Sequence, residues 1–267
     1  MFNRTDRRWL GLGKTLCDGL DALMEIEEYH KMAAVEDEMW YYHALRTRVM
    51  ARLRGALGSS SAEILDAGCG TGGLIRQAEA STTAWRWTGV DLSPVAAGIA
   101  RSRVGAEILE AGLEKIPAQS EQFDAVVSTD VIYHIKDDEA ALREMFRVLR
   151  PGGTLVLNVP AYRWLWSYHD IAVHSQRRYS RAELRAKVSA VGFVDVNLTF
   201  WNLLLLPLVV IRRKLLPAPA SGSDVQSYSP LLNGILKGIL TGEGWLLKVV
   251  GRLPAGSSLL AVARKPG

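Results

Sequence analysis

The chain has 267 residues, 48% of them hydrophobic and 22% charged, with a formal net charge of +4. That is enough apolar mass for a full core in one large domain with additions, and too mild a basic excess for a nucleic-acid footprint, so no nucleic-acid partner is expected. Two cysteines, Cys17 and Cys69, allow neither a disulfide framework nor zinc-ligand spacing, which implies a reducing compartment.

The opening MFNRTDRRWLGLGKTL is basic but lacks a sustained apolar core, so no signal peptide is expected and the protein reads as cytoplasmic. A helix is expected through LCDGLDALMEIEEYHKMAAVE, followed by EMWYYHALRTRVMARL, an aromatic cluster of Trp40, Tyr41 and Tyr42 ahead of an arginine-bearing helix. The aromatics either pack that helix onto a sheet edge or face a ligand. Next comes ILDAGCGTGG, residues 64–73: the end of a buried strand, a tight turn with G-x-G-x-x-G at Gly68, Gly70 and Gly73, and the start of a helix. Backbone of this kind admits a small ligand at a helix N-terminus.

From here strands and helices alternate. Strands are expected at about 62–67, 85–91, 105–110, 123–129, 153–159, 192–200 and 257–264, and helices at about 72–80, 94–102, 138–149 and 181–190. The predicted fold is α/β, a doubly wound, mostly parallel seven-stranded sheet with helices on both faces, an antiparallel last strand and a helical insertion before it. The domain reading is an N-terminal helical cap over 1–55, a core over 56–200, a hydrophobic helical insertion over 201–254, and the last strand and tail over 255–267. The longest uncharged run, residues 196–211, is broken by Pro207 and is too short to span a membrane.

The carboxylate of Asp66 bears on the ligand. A dinucleotide would lay its anionic pyrophosphate beside this fixed negative charge, at a coulombic cost. S-adenosylmethionine has no phosphate and offers an ammonium and a sulfonium, so an acid helps. A second acid, Asp91 in TGVDLSP, ends the next strand, where a carboxylate can accept both ribose hydroxyls. On these residues, with FDAVVSTDVIYHI (residues 123–135) and RVLRPGG (residues 147–153), the sequence resembles the class I, Rossmann-like S-adenosylmethionine-dependent methyltransferases. The resemblance runs from about Trp40 to about Phe200 and returns near the C-terminus.

The resemblance implies S-adenosylmethionine as cofactor and S-adenosylhomocysteine as product, with a cofactor site of Arg46, Asp66, Gly68, Cys69, Gly70, Asp91, Leu92, Gly112, Leu113 and Thr129. Arg46 would meet the methionine carboxylate. Gly112 stands where the family usually carries an acid toward adenine, leaving the backbone of Gly112 and Leu113, or Glu114, to serve. Asp130 and His134 fall near the active-site mouth, and Tyr133 stands where some relatives place a metal-binding glutamate, so no metal is expected. STDV in place of D/N-P-P-Y/F argues against base-amine methylation of nucleic acids. A non-catalytic cofactor-binding subunit is the alternative, and Asp66 disfavours an NAD-dependent oxidoreductase.

VPAYRWLWSYHDIAVHSQRRYS, residues 159–180, resembles an S-x-H-D...H-x-R-R-Y pattern of a bacterial methyltransferase subgroup. It reads either as a substrate loop or as a polar loop in which arginine pairs Asp170. The substrate reading makes His169 and Asp170 catalytic candidates and His174, Arg177, Arg178 and Tyr179 substrate-binding ones; His134, which either acts in catalysis or only positions its loop, joins the first group and Tyr41 and Tyr42 of the aromatic helix the second, for a small-molecule or lipid-linked acceptor methylated on oxygen. In the insertion, WNLLLLPLVV turns basic at Arg212, Arg213 and Lys214, which suits weak peripheral contact with the inner face of a membrane. Gly234, Gly238 and Gly242 recur every fourth residue, which equally suits a buried helical hairpin or a homodimer face.

Overall fold

The computed structural model describes residues 26–218 and 224–267. The first part of the helix expected from Leu16 therefore lies outside the described residues, as does Cys17. Two helices precede the sheet, α1 (Ile26–Val35) and α2 (Trp40–Leu57). The aromatic cluster is itself the first turn of α2, whose buried positions Ala44, Leu45, Arg48, Val49 and Leu53 recur at helical spacing and lay one stripe on the sheet.

The alternation then follows as β1 (Ala62–Ala67), α3 (Gly73–Ser81), β2 (Trp85–Asp91), α4 (Pro94–Arg103), β3 (Glu107–Glu110), β4 (Phe123–Thr129), α5 (Asp138–Val148) and β5 (Leu149–Pro160). Local chemistry sets these boundaries. The Ser93 hydroxyl accepts from the Ala96 N–H and Pro94 opens α4, and Asp137 caps α5 through the Ala140 N–H. β5 begins at Leu149, earlier than expected, because Leu149 already pairs with Phe123 before a register shift in the β4–β5 ladder. After it come α6 (Tyr168–Ala172), α7 (Arg181–Ala190), β6 (Val194–Trp201), α8 (Leu206–Val210) with a π turn over Ile211–Leu215, α9 (Pro230–Val250) and β7 (Ser258–Arg264).

The sheet order is β3-β2-β1-β4-β5-β7-β6, and β7 runs antiparallel to both β5 and β6. The expected strand pair at the end of the sheet is thus formed, although its two members lie either side of the whole insertion. Alternate residues of each strand feed opposite layers. Leu65, Val126, Leu155 and Leu157 pack with Leu142 and Met145 of α5 on one face, while Ile64, Ala125, Val127 and Val156 pack with Val49, Leu53 and Ile75 on the other. The order reverses between β1 and β4, and a crevice beyond the carboxyl ends of those strands is where open α/β sheets take ligands.

The insertion folds onto α2. Helix α9 buries Leu236, Leu240, Glu243 and Leu247. Gly234, Gly238 and Gly242 point elsewhere, with no atom near the place of their missing Cβ; the close helix contact expected at these glycines is not formed. Glu243 holds the piece together instead. Its Oε1 accepts the Asn202 N–H at 2.7 Å and the Arg48 guanidinium at 3.0 Å, and its Oε2 accepts the N–H groups of Leu203 at 2.6 Å and Leu204 at 3.0 Å. No helix among the described residues is long and apolar enough to cross a membrane.

Candidate active site

At the carboxyl ends of β1, β2 and β4 lies a cavity of about 780 Å³ that runs from Asp91 to the inner side of the insertion. The turn after β1 forms its floor, with Gly68 and Gly70 at φ values of +88° and +54° that favour glycine. An added Cβ at Gly68 would overlap the side chain of Val131 from the loop after β4, and one at Gly73 would overlap Arg46 and Glu36. These glycines are therefore required by protein packing as well as by access for a ligand.

Asp66 is 2% exposed, and its Oδ1 has no hydrogen-bond partner. Burial, reinforced by the nearby Asp91 carboxylate, pushes its carboxyl up to about 7. Asp91 accepts the Gly70 N–H at 2.8 Å and the Ser93 N–H at 2.9 Å, and burial raises it as well. Cys69, Leu92, Leu113 and Thr129 line the same half of the cavity, whereas Gly112 does not, and Glu114 takes its place at the wall. Gly112 is turned to the local backbone, its carbonyl accepting the Lys115 N–H.

Arg46 also reaches this half, and it does not stand free. Its guanidinium donates to Glu36, and that carboxylate is shared with Arg103 and the Thr71 hydroxyl. Helix α1 adds Glu28, Tyr29 and Met32 to the wall, and burial followed by the charge of Asp91 pushes the Tyr29 phenol up to about 12. The segment around α1 thus covers the cofactor side, a role for Tyr29 and Glu36 that the sequence reading missed.

In the other half Asp130 is central. It sits at φ +58°, a left-handed conformation uncommon outside glycine and concentrated at functional sites. Its Oδ2 accepts from the Tyr41 hydroxyl at 2.9 Å and its Oδ1 from the Asn158 amide at 2.8 Å. Asn158 in turn accepts the Trp201 indole N–H at 2.8 Å, and the Tyr41 ring stacks on Trp201 with centroids 5.2 Å apart. Burial lifts the Asp130 carboxyl to about 6, against the stabilising bonds from Tyr41 and Asn158. Tyr42 lines the cavity beside Tyr41. An asparagine inside the apolar run LVLNVP was the sequence signal for this network, because a buried amide needs partners.

The loop expected to bind substrate is internally bonded, and His169, Asp170 and Arg178 from it line the cavity. Asp170 accepts from the Ser167 N–H and is bidentate with Arg178 at 2.6 and 3.0 Å, and Arg178 also donates to the Ala161 carbonyl. Both side chains are about 2% exposed, and both contribute to the lining of the cavity. Arg177 pairs with Asp138 and donates to the Lys136 carbonyl, and Tyr179 donates to Asp138; neither reaches the cavity. His174 is exposed outside it, at φ +51°. The pattern of arginines, tyrosine and acids reads the same whether its members bind a ligand or one another.

Two histidines do line the cavity, His134 and His169. Burial lowers each to about 4, so both are neutral at neutral pH. His169 Nδ1 accepts the Asp224 N–H at 3.1 Å, which puts the ring proton of the neutral imidazole on Nε2. Arg213 pairs with Asp224 at 2.8 Å, Arg212 lies over the Tyr168 ring, and Lys214 donates to the Trp166 carbonyl. The cations expected to face a membrane are thus bound to the protein, and Arg212 and Arg213 line the cavity beside apolar Leu205, Leu208, Val209, Leu232 and Leu236.

A doubly wound sheet with this order, a glycine turn under a lone buried acid and a second acid one strand away together define the class I, Rossmann-like methyltransferase architecture. Residues 65–157 match the family described as methyltransferase domain, and the sheet order is that of the methyltransferase α/β fold. It is 34% identical over 140 residues to a malonyl-[acyl-carrier protein] O-methyltransferase of Enterobacter lignolyticus, covering 48% of this chain and 53% of that protein. It is 31% identical over 141 residues to a Mus musculus protein named probable tRNA methyltransferase 9B, covering 51% of this chain and 30% of that one. The chain therefore spans about half, or less, of the length of these curated relatives. In fold it resembles the partner of the Trm112 methyltransferase activator in the Haloferax volcanii complex, with a TM-score of 0.59 at 21% identity over 94% of this chain and 97% of that one.

Proposed function

We propose that the protein transfers a methyl group from S-adenosylmethionine to an oxygen of a small-molecule or lipid-linked acceptor. The observation that carries the cofactor half is Asp66, whose buried Oδ1 lacks a partner beside the glycine turn. A buried unpaired carboxylate is costly, and an ammonium-bearing ligand removes that cost where a pyrophosphate would raise it. Asp66 would accept from the ammonium, Asp91 from the ribose hydroxyls, and Arg46, once released from Glu36, would meet the carboxylate. Bound there, S-adenosylmethionine supplies an electrophilic methyl group.

The chain's own contribution is orientation and proton removal. Asp130, fixed by Tyr41 and Asn158 and poised near 6, takes the proton that an acceptor hydroxyl loses. His169, with its proton on Nε2, donates to the acceptor and orients it. The acceptor half pairs apolar Leu205, Leu208, Val209 and Leu236 with Arg212 and Arg213, which suits a molecule with an apolar portion and an anionic or hydroxylated end. The similarity to an O-methyltransferase supports oxygen as the methylated atom.

Titration calorimetry with S-adenosylhomocysteine and with NADH tests the cofactor, and mass spectrometry of lipid and metabolite extracts incubated with protein and S-adenosylmethionine tests the transfer. Binding of S-adenosylhomocysteine but not NADH, weakened by Asp91→Ala by about 1.5–3 kcal/mol, is expected. Tight NADH binding would overturn the assignment.

A further inference from the structure

Residues 201–257 carry six basic and two acidic side chains, an excess equal to that of the entire chain. Both acids are engaged inside the protein, Asp224 by Arg213 and Glu243 by Arg48. The charge this segment shows to solvent is therefore cationic. Helix α9 within it is unusual among the helices here, because its outward face is also apolar: Leu231 is 78% exposed, Trp245 66% and Val249 83%. These positions lie opposite the buried Leu240 on a helical wheel, and Ile235 and Leu246 flank them. Lys237 is half-buried on one flank, and Lys248 and Arg252 are exposed toward the C-terminal end. The Lys248 ammonium lies 5.0 Å from the Trp245 ring, the pairing of an amphipathic aromatic with a cation that suits a lipid headgroup layer.

We infer that the outward face of α9 is a docking surface for an anionic lipid bilayer, on which the protein sits peripherally. An apolar helix face whose accessible charged residues are cations matches a surface that offers acyl chains beneath negative headgroups. The contact differs from the one the sequence suggested, since Arg212 and Arg213 turn to the protein, and exposed cations are supplied by Lys248 of α9 and Arg252 just after it as well as by Lys214. A second feature gives the surface a purpose. Leu208 and Leu232 line the cavity and are also 52% and 44% exposed, so the cavity opens between apolar side chains of α8 and α9. Docked by α9, the enzyme takes an acceptor with an acyl or polyprenyl-like tail from the leaflet through that opening; this last step rests on the methyltransferase reading above.

The test is flotation of the full chain with vesicles of phosphatidylcholine alone or mixed with phosphatidylglycerol, at low and high salt. Beside it stand the variants Trp245→Ser/Val249→Ser and Lys237→Gln/Lys248→Gln/Arg252→Gln. Light scattering and S-adenosylhomocysteine affinity are measured on each protein. We expect association with anionic vesicles at low salt, loss at high salt, and weakening of about fivefold for each cation removed and about a hundredfold for all three. The apolar variant is expected to lose association while binding S-adenosylhomocysteine as the parent does. No association with anionic vesicles at low salt, or association untouched by both variants, overturns the inference. A lipid-free dimer that Trp245→Ser/Val249→Ser converts to monomer also overturns it, assigning the face to a second copy. Failure of the parent to bind S-adenosylhomocysteine would strike the cofactor reading alone, leaving the vesicle result to stand on its own.

Discussion

The Glu243 carboxylate meets the Arg48 guanidinium at 3.0 Å across 195 residues of chain, and neither side chain is more than 8% exposed. Glu243 also gathers three backbone N–H groups at the end of β6, so one side chain fastens the insertion, α2 and the sheet edge. Removing one partner of such a pair strands the other charge in the interior. Glu243→Ala is expected to lower stability by about 3–5 kcal/mol in urea denaturation, and Glu243→Gln by less, since the amide oxygen still accepts. A Glu243→Ala protein within 1 kcal/mol of the parent would show that the insertion is held by apolar contacts alone.

Asp66 makes the ligand-free protein sensitive to pH. Its carboxyl is raised from 3.8 to about 7 in the folded chain. A raised carboxyl leaves its full stability in place below the unfolded value and loses it as pH climbs through the folded one. The parent should therefore weaken between about pH 4 and pH 8 relative to Asp66→Asn, by on the order of 3–4 kcal/mol. Asp91 and Asp130 shift the same way, so only the difference between the two proteins isolates Asp66. Parallel curves of melting temperature against pH would refute the shift.

Asp130→Asn is expected to lower kcat by about 10²- to 10⁴-fold with S-adenosylhomocysteine affinity unchanged. In the parent, kcat should fall as pH drops below about 6, where the carboxyl is protonated. A limb set instead by either histidine would lie near 4. A loss smaller than tenfold in the variant would remove Asp130 from proton transfer.

His169 is predicted to act as a donor. Glutamine keeps a donor at this point, so His169→Gln should retain acceptor KM within a few-fold, while His169→Ala should raise it about tenfold, the worth of one hydrogen bond. If glutamine and alanine are equally damaging, and kcat rather than KM falls, the ring works as a base and the tautomer assigned from the Asp224 N–H is wrong.

The sheet was legible because its signals are local: a glycine turn after an apolar strand, Ser93-Pro94 at a helix start, acids at strand ends. Asp66, Asp91 and Arg46 were placed in the cavity for the same reason. Several residues expected to meet substrate bond to one another across loops. Arg178 seeks Asp170, and Arg177 and Tyr179 seek Asp138, yet each pairing uses the donor and acceptor types a substrate site would need. Glu243 was invisible because nothing near a lone acid in a glycine-rich apolar helix announces an arginine two hundred positions earlier. Asp130 was seen near the mouth, but its importance comes from Tyr41 and Asn158, which only the folded sheet brings to it.

Val131 fills the space a Cβ at Gly68 would take, and it is the residue next to Asp130. The floor of the cofactor pocket and the segment bearing the proposed base are therefore keyed like two teeth of a lock. A side chain at Gly68 would press on the loop that carries Asp130, so the spacing between the turn and that carboxylate is set by the absence of one methyl group.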